Sequence, residues 1–154
     1  MKTTERILVR VMPEAMSRLV WIMRQLLSTH AKILHKRVVN LDTDTVNALH
    51  PTANGQVKAE ILQRLKGQQI GLFLLEGENV VEHITRLVGT DNKQYLWTIN
   101  TLQGQLLVEF YLRINRSYAD SVYHYHFIEC VTDPDEIKRQ YALLTDKSLY
   151  SKTF

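Results

Sequence analysis

The stretch INRSYADSVYHYHFIECVTDPDEIKRQYALL, residues Ile114 to Leu144, decides the fold because it encodes a strand and the helix that follows it. Tyr123 to Ile128 (YHYHFI) is aromatic and alternates, which predicts a strand. Asp133 then supplies an N-cap, and Pro134 suits the first helical position, where no amide donor is needed. Glu136 stands where a capping box places its reciprocal acceptor, and Ile137, Tyr141 and Leu144 give the helix one apolar face.

Working outward, Ile7, Val9 and Val11 alternate with Leu8, Arg10 and Met12 in the period of a strand, and Pro13 stops the ladder. Met16, Leu19, Val20, Met23, Leu26 and Leu27 recur at helical spacing, so a helix is expected to run to about Thr29. Ile33 to Leu41 is rich in β-branched residues and predicts a second strand, while Asp42 to Leu49 reads as a short capped helix. A further helix carries Val57, Ile61, Leu62 and Leu65, entered through a turn at Pro51 and Gly55. Gln69 to Leu75 is apolar on both faces, as a central strand is, and Gly77 is expected to turn the chain into a helix from Val80 to Val88 capped by Gly89.

This order predicts an α+β domain, residues 1–154, with a ferredoxin-like antiparallel sheet and helices packed on one face. Residues Asp91 to Arg113 admit two readings. Tyr95, Leu96, Ile99 and Leu102 line up as a helix, whereas Tyr95 to Asn100 and Gln105 to Leu112 pair equally well as a hairpin.

Composition narrows the function classes. A net charge of +3 with dispersed basic residues permits nucleic-acid binding without indicating it. The single cysteine, Cys130, excludes an internal disulfide, and the first residues lack the apolar core of a secretory signal, so a reducing cytoplasmic location is expected. No run approaches the roughly 18 apolar residues of a membrane-spanning helix. Isolated glycines replace any phosphate-cradling loop, and no cofactor or metal site is expected.

Three segments together resemble the nucleoside diphosphate kinase family: ERILVRVMPEAM (Glu5 to Met16), EGENVVEHITRLVG (Glu76 to Gly89) and the opening stretch. Their landmarks keep the family's order across nearly the whole chain. Glu76, Gly77, Glu78, Asn79, Leu87 and Gly89 fall at the family spacing without a gap. The resemblance implies a ferredoxin-like core, with an insertion at about residues 90–113 that amounts to about 13 extra residues before Ile114 in an ungapped placement.

The same placement shows where the chain departs from the family. Met12 takes the position of the lysine in a Lys-Pro-Asp sequence, with Pro13 and Glu14 matching in kind. Thr85 takes that of a phosphate-binding arginine, and Arg86 lies one residue late. Arg116 matches an arginine, His126 falls at an asparagine that helps hold ribose and phosphates, and Glu129 falls at the histidine that carries the phosphoryl group.

Phosphoryl transfer through an enzyme intermediate needs a nucleophile and cations around the transferring oxygens. A misplaced unit charge about 4 Å from a phosphate costs on the order of 4 kcal/mol at an effective dielectric near 20. The stretch from Pro51 to Lys66 also offers no aromatic ring on which a base can stack. Kinase activity is therefore expected to be absent, leaving a binding or scaffolding subunit that self-associates and takes a small anionic ligand or a protein partner. The alternative is a repurposed enzyme, with Glu129 and His126 in acid-base catalysis and Arg116, helped by Arg86, binding a small anionic substrate. His124, His126 and Glu129 also form a possible metal ligand set, but their spacing matches no zinc signature.

Overall fold

The computed structural model describes residues 4–50, 55–89, 100–113, 127–145 and 151–153. Its centre is an antiparallel sheet of β1 (Thr4–Val11), β2 (Lys32–Asn40), β3 (Gln69–Glu78) and β4 (Ile128–Val131), in the order β4-β1-β3-β2. A short β5 (Ser151–Thr153), not anticipated from the sequence, pairs with β2 opposite Arg37, Val38 and Val39. The helices are α1 (Leu19–Leu27), α2 (Thr43–Leu49), α3 (Gly55–Leu65), α4 (Val80–Val88), α5 (Leu102–Arg113) and α6 (Pro134–Thr145).

The ferredoxin-like expectation holds, but helices cover both faces of the sheet rather than one. Ile7, Val9, Val11, Phe73 and Leu75 pack with Leu19, Ile22 and Leu26 of α1, Val80, Ile84 and Val88 of α4, and Leu102 and Leu106 of α5. Leu8, Met12, Ile70, Leu72 and Leu74 pack instead with Val46 and Leu49 of α2, Leu65 of α3, and Ile137 and Leu144 of α6. Central strands that are apolar at successive positions must be covered twice, because alternate side chains leave on opposite faces.

Local capping follows the sequence closely. Thr45 donates its amide to Asp42 Oδ1 at 2.7 Å, and Glu136 donates its amide to Asp133 Oδ2 at 3.1 Å. Gly89 ends α4 at φ 88°, a left-handed conformation that glycine adopts without strain, and its amide reaches Thr85 O at 2.8 Å. The capping box at α6 is only half made, because the Glu136 side chain accepts from Arg139 and Gln140 of its own helix.

Several boundaries differ from expectation. The helix predicted from Met16 opens as a 3₁₀ helix, Pro13–Arg18, and becomes α-helical only at Leu19. This segment lies close against β3: a Cβ at Gly71 would stand 2.5 Å from Leu19 Cδ1. Gly77 does not turn the chain, since β3 continues to Glu78 opposite Thr4. Of the strand predicted over Tyr123 to Ile128, Ile128 begins β4, which runs on to Val131 where β1 offers partners from Val11 back to Leu8. Residues 123–126 and the Pro51 turn lie outside the described residues.

The helix α5 over Leu102–Arg113 overturns the hairpin through Gln105 to Leu112, while Tyr95, Leu96 and Ile99 of the helical reading lie outside the described residues. Thr101 Oγ1 accepts from the Gly104 amide at 3.0 Å, an N-cap bond that starts α5 despite the glycine inside its first turn. Gln103, fully buried, donates from Nε2 to Ile128 O at 2.6 Å and accepts from the Phe127 and Ile128 amides at 2.9 and 3.2 Å. One side chain thereby ties α5 to the start of β4.

Candidate functional site

Alternation along β1 places Leu8, Arg10 and Met12 on the face covered by α2, α3 and α6. Arg10 is therefore a charged residue in an apolar row, and it is 6% exposed. The register of β1 with β4 sets Glu129 directly opposite Arg10, one step from the Val11 and Ile128 pair. Side chains at facing positions leave on the same side with Cβ atoms about 4.5–5.5 Å apart. Arg10 Nη2 donates to Glu129 Oε2, while Arg10 Nε is buried without a hydrogen-bond partner. Met12 closes the row at 3% exposure, and its amide donates to Phe127 O at 2.8 Å.

Two further ion pairs stand around this one. Glu14, in the 3₁₀ helix after β1, accepts from Arg64 Nε at 2.6 Å and Nη2 at 3.0 Å, a bidentate contact that joins this helix to α3. Arg139 of α6 donates to Glu136 and also, through Nη1, to Ala48 O at 2.8 Å, which fixes α6 against α2. The hydrogen bonds from Arg139 and Gln140 bring the Glu136 carboxyl down to about 2. His50, which ends α2, is half-buried between these groups. Burial and the positive charge of Arg10, then of Arg64 and Arg139, lower its pKa below the usual 6.5, against the opposing pull of Glu129. The imidazole is therefore neutral at neutral pH.

Of the residues expected from the sequence, Glu129 and Met12 lie on this face. Thr85 and Arg86 belong to α4, which packs on the other face through Val80, Ile84 and Val88. The Thr85 hydroxyl turns back to Val81 O at 2.7 Å, and Arg86 pairs with Glu82 on the exposed side of the helix at 2.8 Å. His126 and Arg116 lie outside the described residues. Among the described residues no cluster of metal-binding side chains forms, and no helix is long and apolar enough to cross a membrane. Arg10, Arg64, Arg139 and His50 escaped the sequence reading. Only Arg10 left a signal there, as a charge in phase with Leu8 and Met12.

A sheet ordered β4-β1-β3-β2, covered on both faces by the intervening helices, defines a nucleoside-diphosphate-kinase-like α+β fold. The Aquifex aeolicus nucleoside diphosphate kinase matches with a TM-score of 0.70 at 12% identity, over 96% of this chain and 99% of that one. The Borrelia burgdorferi enzyme, solved with vanadate and ADP, matches at 0.69 and 12% identity, over 96% and 90% of the two chains. A Halobacterium salinarum enzyme in complex with CDP gives 0.69 at 17% identity, over 95% and 90%. No protein-family model matches the sequence, and no curated protein does.

Proposed function

We propose that this chain is a catalytically degenerate nucleoside-diphosphate-kinase-like protein, a single domain that serves as a non-kinase binding or scaffolding subunit and self-associates. The observation that carries this reading is the Arg10–Glu129 pair. The carboxylate stands where the resemblance puts the phospho-accepting histidine, and the nearest guanidinium already holds it. Arg64 is engaged by Glu14 and Arg139 by Glu136, so all three arginines around His50 have an internal carboxylate. An incoming triphosphate then meets a balanced set of charges instead of a cationic cage, and Met12, where the resemblance expects a lysine, is buried in the apolar row. The lone cysteine supports a reducing, cytoplasmic setting.

Incubation with γ-labelled ATP tests the reading. The expected result is no labelled protein and no transfer to a nucleoside diphosphate; a phosphoprotein that passes its label to such an acceptor refutes it.

One observation favours the second reading, a repurposed enzyme in which Glu129 and His126 move protons and Arg116 clamps a small anionic substrate. His50 ends α2 close enough to Glu129 for the carboxylate to raise its pKa against the lowering by burial and Arg10, the kind of imidazole–carboxylate coupling that proton transfer uses. Turnover of a panel of phosphate and carboxylate esters by the intact chain, lost in Glu129→Gln, supports it. Equal absence of turnover in both proteins removes it.

A further inference from the structure

We propose that Arg10 forms the floor of a latent oxyanion site and that the Glu129 carboxylate occupies it as an internal ligand. The proposal rests on the degenerate-kinase reading and extends it from an absent reaction to a closed binding site. Three observations support it.

The first is an excess of donors. A guanidinium carries five N–H groups, and Arg10 is buried with Nη2 given to Glu129 and Nε given to nothing. A buried cation with donors to spare accommodates an oxyanion that brings more acceptor oxygens than one carboxylate contact uses. The second is access. The Arg10 side chain is 8% exposed and that of Glu129 28%, on a four-residue strand at the sheet edge. Solvent therefore reaches the carboxylate before it reaches the guanidinium. The third is placement by the backbone. Arg10 and Glu129 face each other through the β1–β4 register, so neutralising Glu129 leaves Arg10 in place and raises the local charge by one unit. Arg64 and Arg139 keep their own carboxylates, and His50 remains beside them.

The ligand class follows from these limits. One guanidinium released among otherwise balanced charges suits a compact phosphate-like anion. It offers a nucleoside no added contact, so ADP should bind no more tightly than inorganic pyrophosphate.

Calorimetric titration with pyrophosphate at fixed ionic strength tests the site in the full chain, Glu129→Gln, and the double variant Arg10→Met with Glu129→Gln. Circular dichroism and the melting midpoint verify folding. Glu129→Gln is expected to bind at least about tenfold more tightly than the unaltered chain, a gain of about 1.4 kcal/mol, and the double variant to lose that gain. Where Glu129→Gln does not fold, Glu129→Ala, which also removes the charge and vacates the carboxylate's place, takes its part in the same titration. A folded Gln or Ala variant that binds no better than the unaltered chain overturns the latent site while leaving the kinase-degenerate reading intact. Phosphotransfer by the unaltered chain overturns that reading instead, so the two failures are distinguishable.

Discussion

On one face of the sheet Ile7, Val9, Val11, Phe73 and Leu75 meet α1, α4 and α5, and among the described residues the buried polar side chains of those helices, Thr85 and Gln103, are uncharged. On the other, Leu8, Leu72 and Leu74 share their surface with the Arg10–Glu129 pair, while Glu14–Arg64 and Glu136–Arg139 stand around it. Both faces draw on the same β1 and β3, one residue out of phase. The first face is held by shape, and substitutions there should be felt as lost packing. The second carries in Arg10–Glu129 a pair whose members are costly singly and replaceable together, because an unpartnered buried ion is far worse than none.

The largest expected effect lies on the apolar face. Phe73→Ala removes a fully buried ring and should cost about 3–5 kcal/mol in chemical denaturation. On the charged face, Arg10→Met leaves the partly exposed Glu129 without its partner and should cost about 2–3 kcal/mol. Adding Glu129→Leu to that variant should return most of the loss. A double variant no more stable than the single one would erase the distinction between the faces. Gln103→Leu keeps the volume of the side chain but removes its bonds to Phe127 and Ile128, for an expected loss of about 1–3 kcal/mol.

The smallest effect is in pH dependence. Because the folded state lowers the pKa of His50, the unfolded chain binds the proton more readily below the ordinary value of 6.5. Stability should therefore be full above that pH and decline as pH falls through it towards the lowered folded value. His50→Gln should flatten this part of the curve. The Glu136 carboxyl, at about 2 in the fold against 4.5 ordinarily, acts in a separate window: its contribution is present above 4.5 and lost as pH falls towards 2. Glu136→Gln should flatten only that acid limb.

Much of the fold was legible because it is encoded locally. Asp42, Asp133 with Pro134, and Gly89 mark helix ends by bonds that span three or four residues, and the double-faced Gln69 to Leu75 run identified a central strand. That same run also implied two covered faces, which the one-sided plan overlooked. Where pairing decides, local pattern said less: Glu129, Cys130 and Val131 do not read as a strand by themselves, and they form one where β1 provides partners. The site was legible only in part. Glu129 could be placed along the chain, but its partner lies 119 residues away, and only the register reveals that they meet. The Arg64–Glu14 contact spans 50 residues and, like the surroundings of His50, leaves no periodic trace in sequence.

Gln103 has one more consequence, for the outer edge of the sheet. β4 ends the strand order, and an edge strand presents unpaired amides and carbonyls to any extended chain that approaches. A primary amide carries a donor and an acceptor much as a peptide group does, and here it takes up the Phe127 and Ile128 amides and the Ile128 carbonyl. A single glutamine thus stands in for a neighbouring strand. The Phe127 and Ile128 amide protons should consequently exchange with solvent at the rate at which α5 lifts away, so their deuterium uptake would report on a helix rather than on the fraying of the sheet.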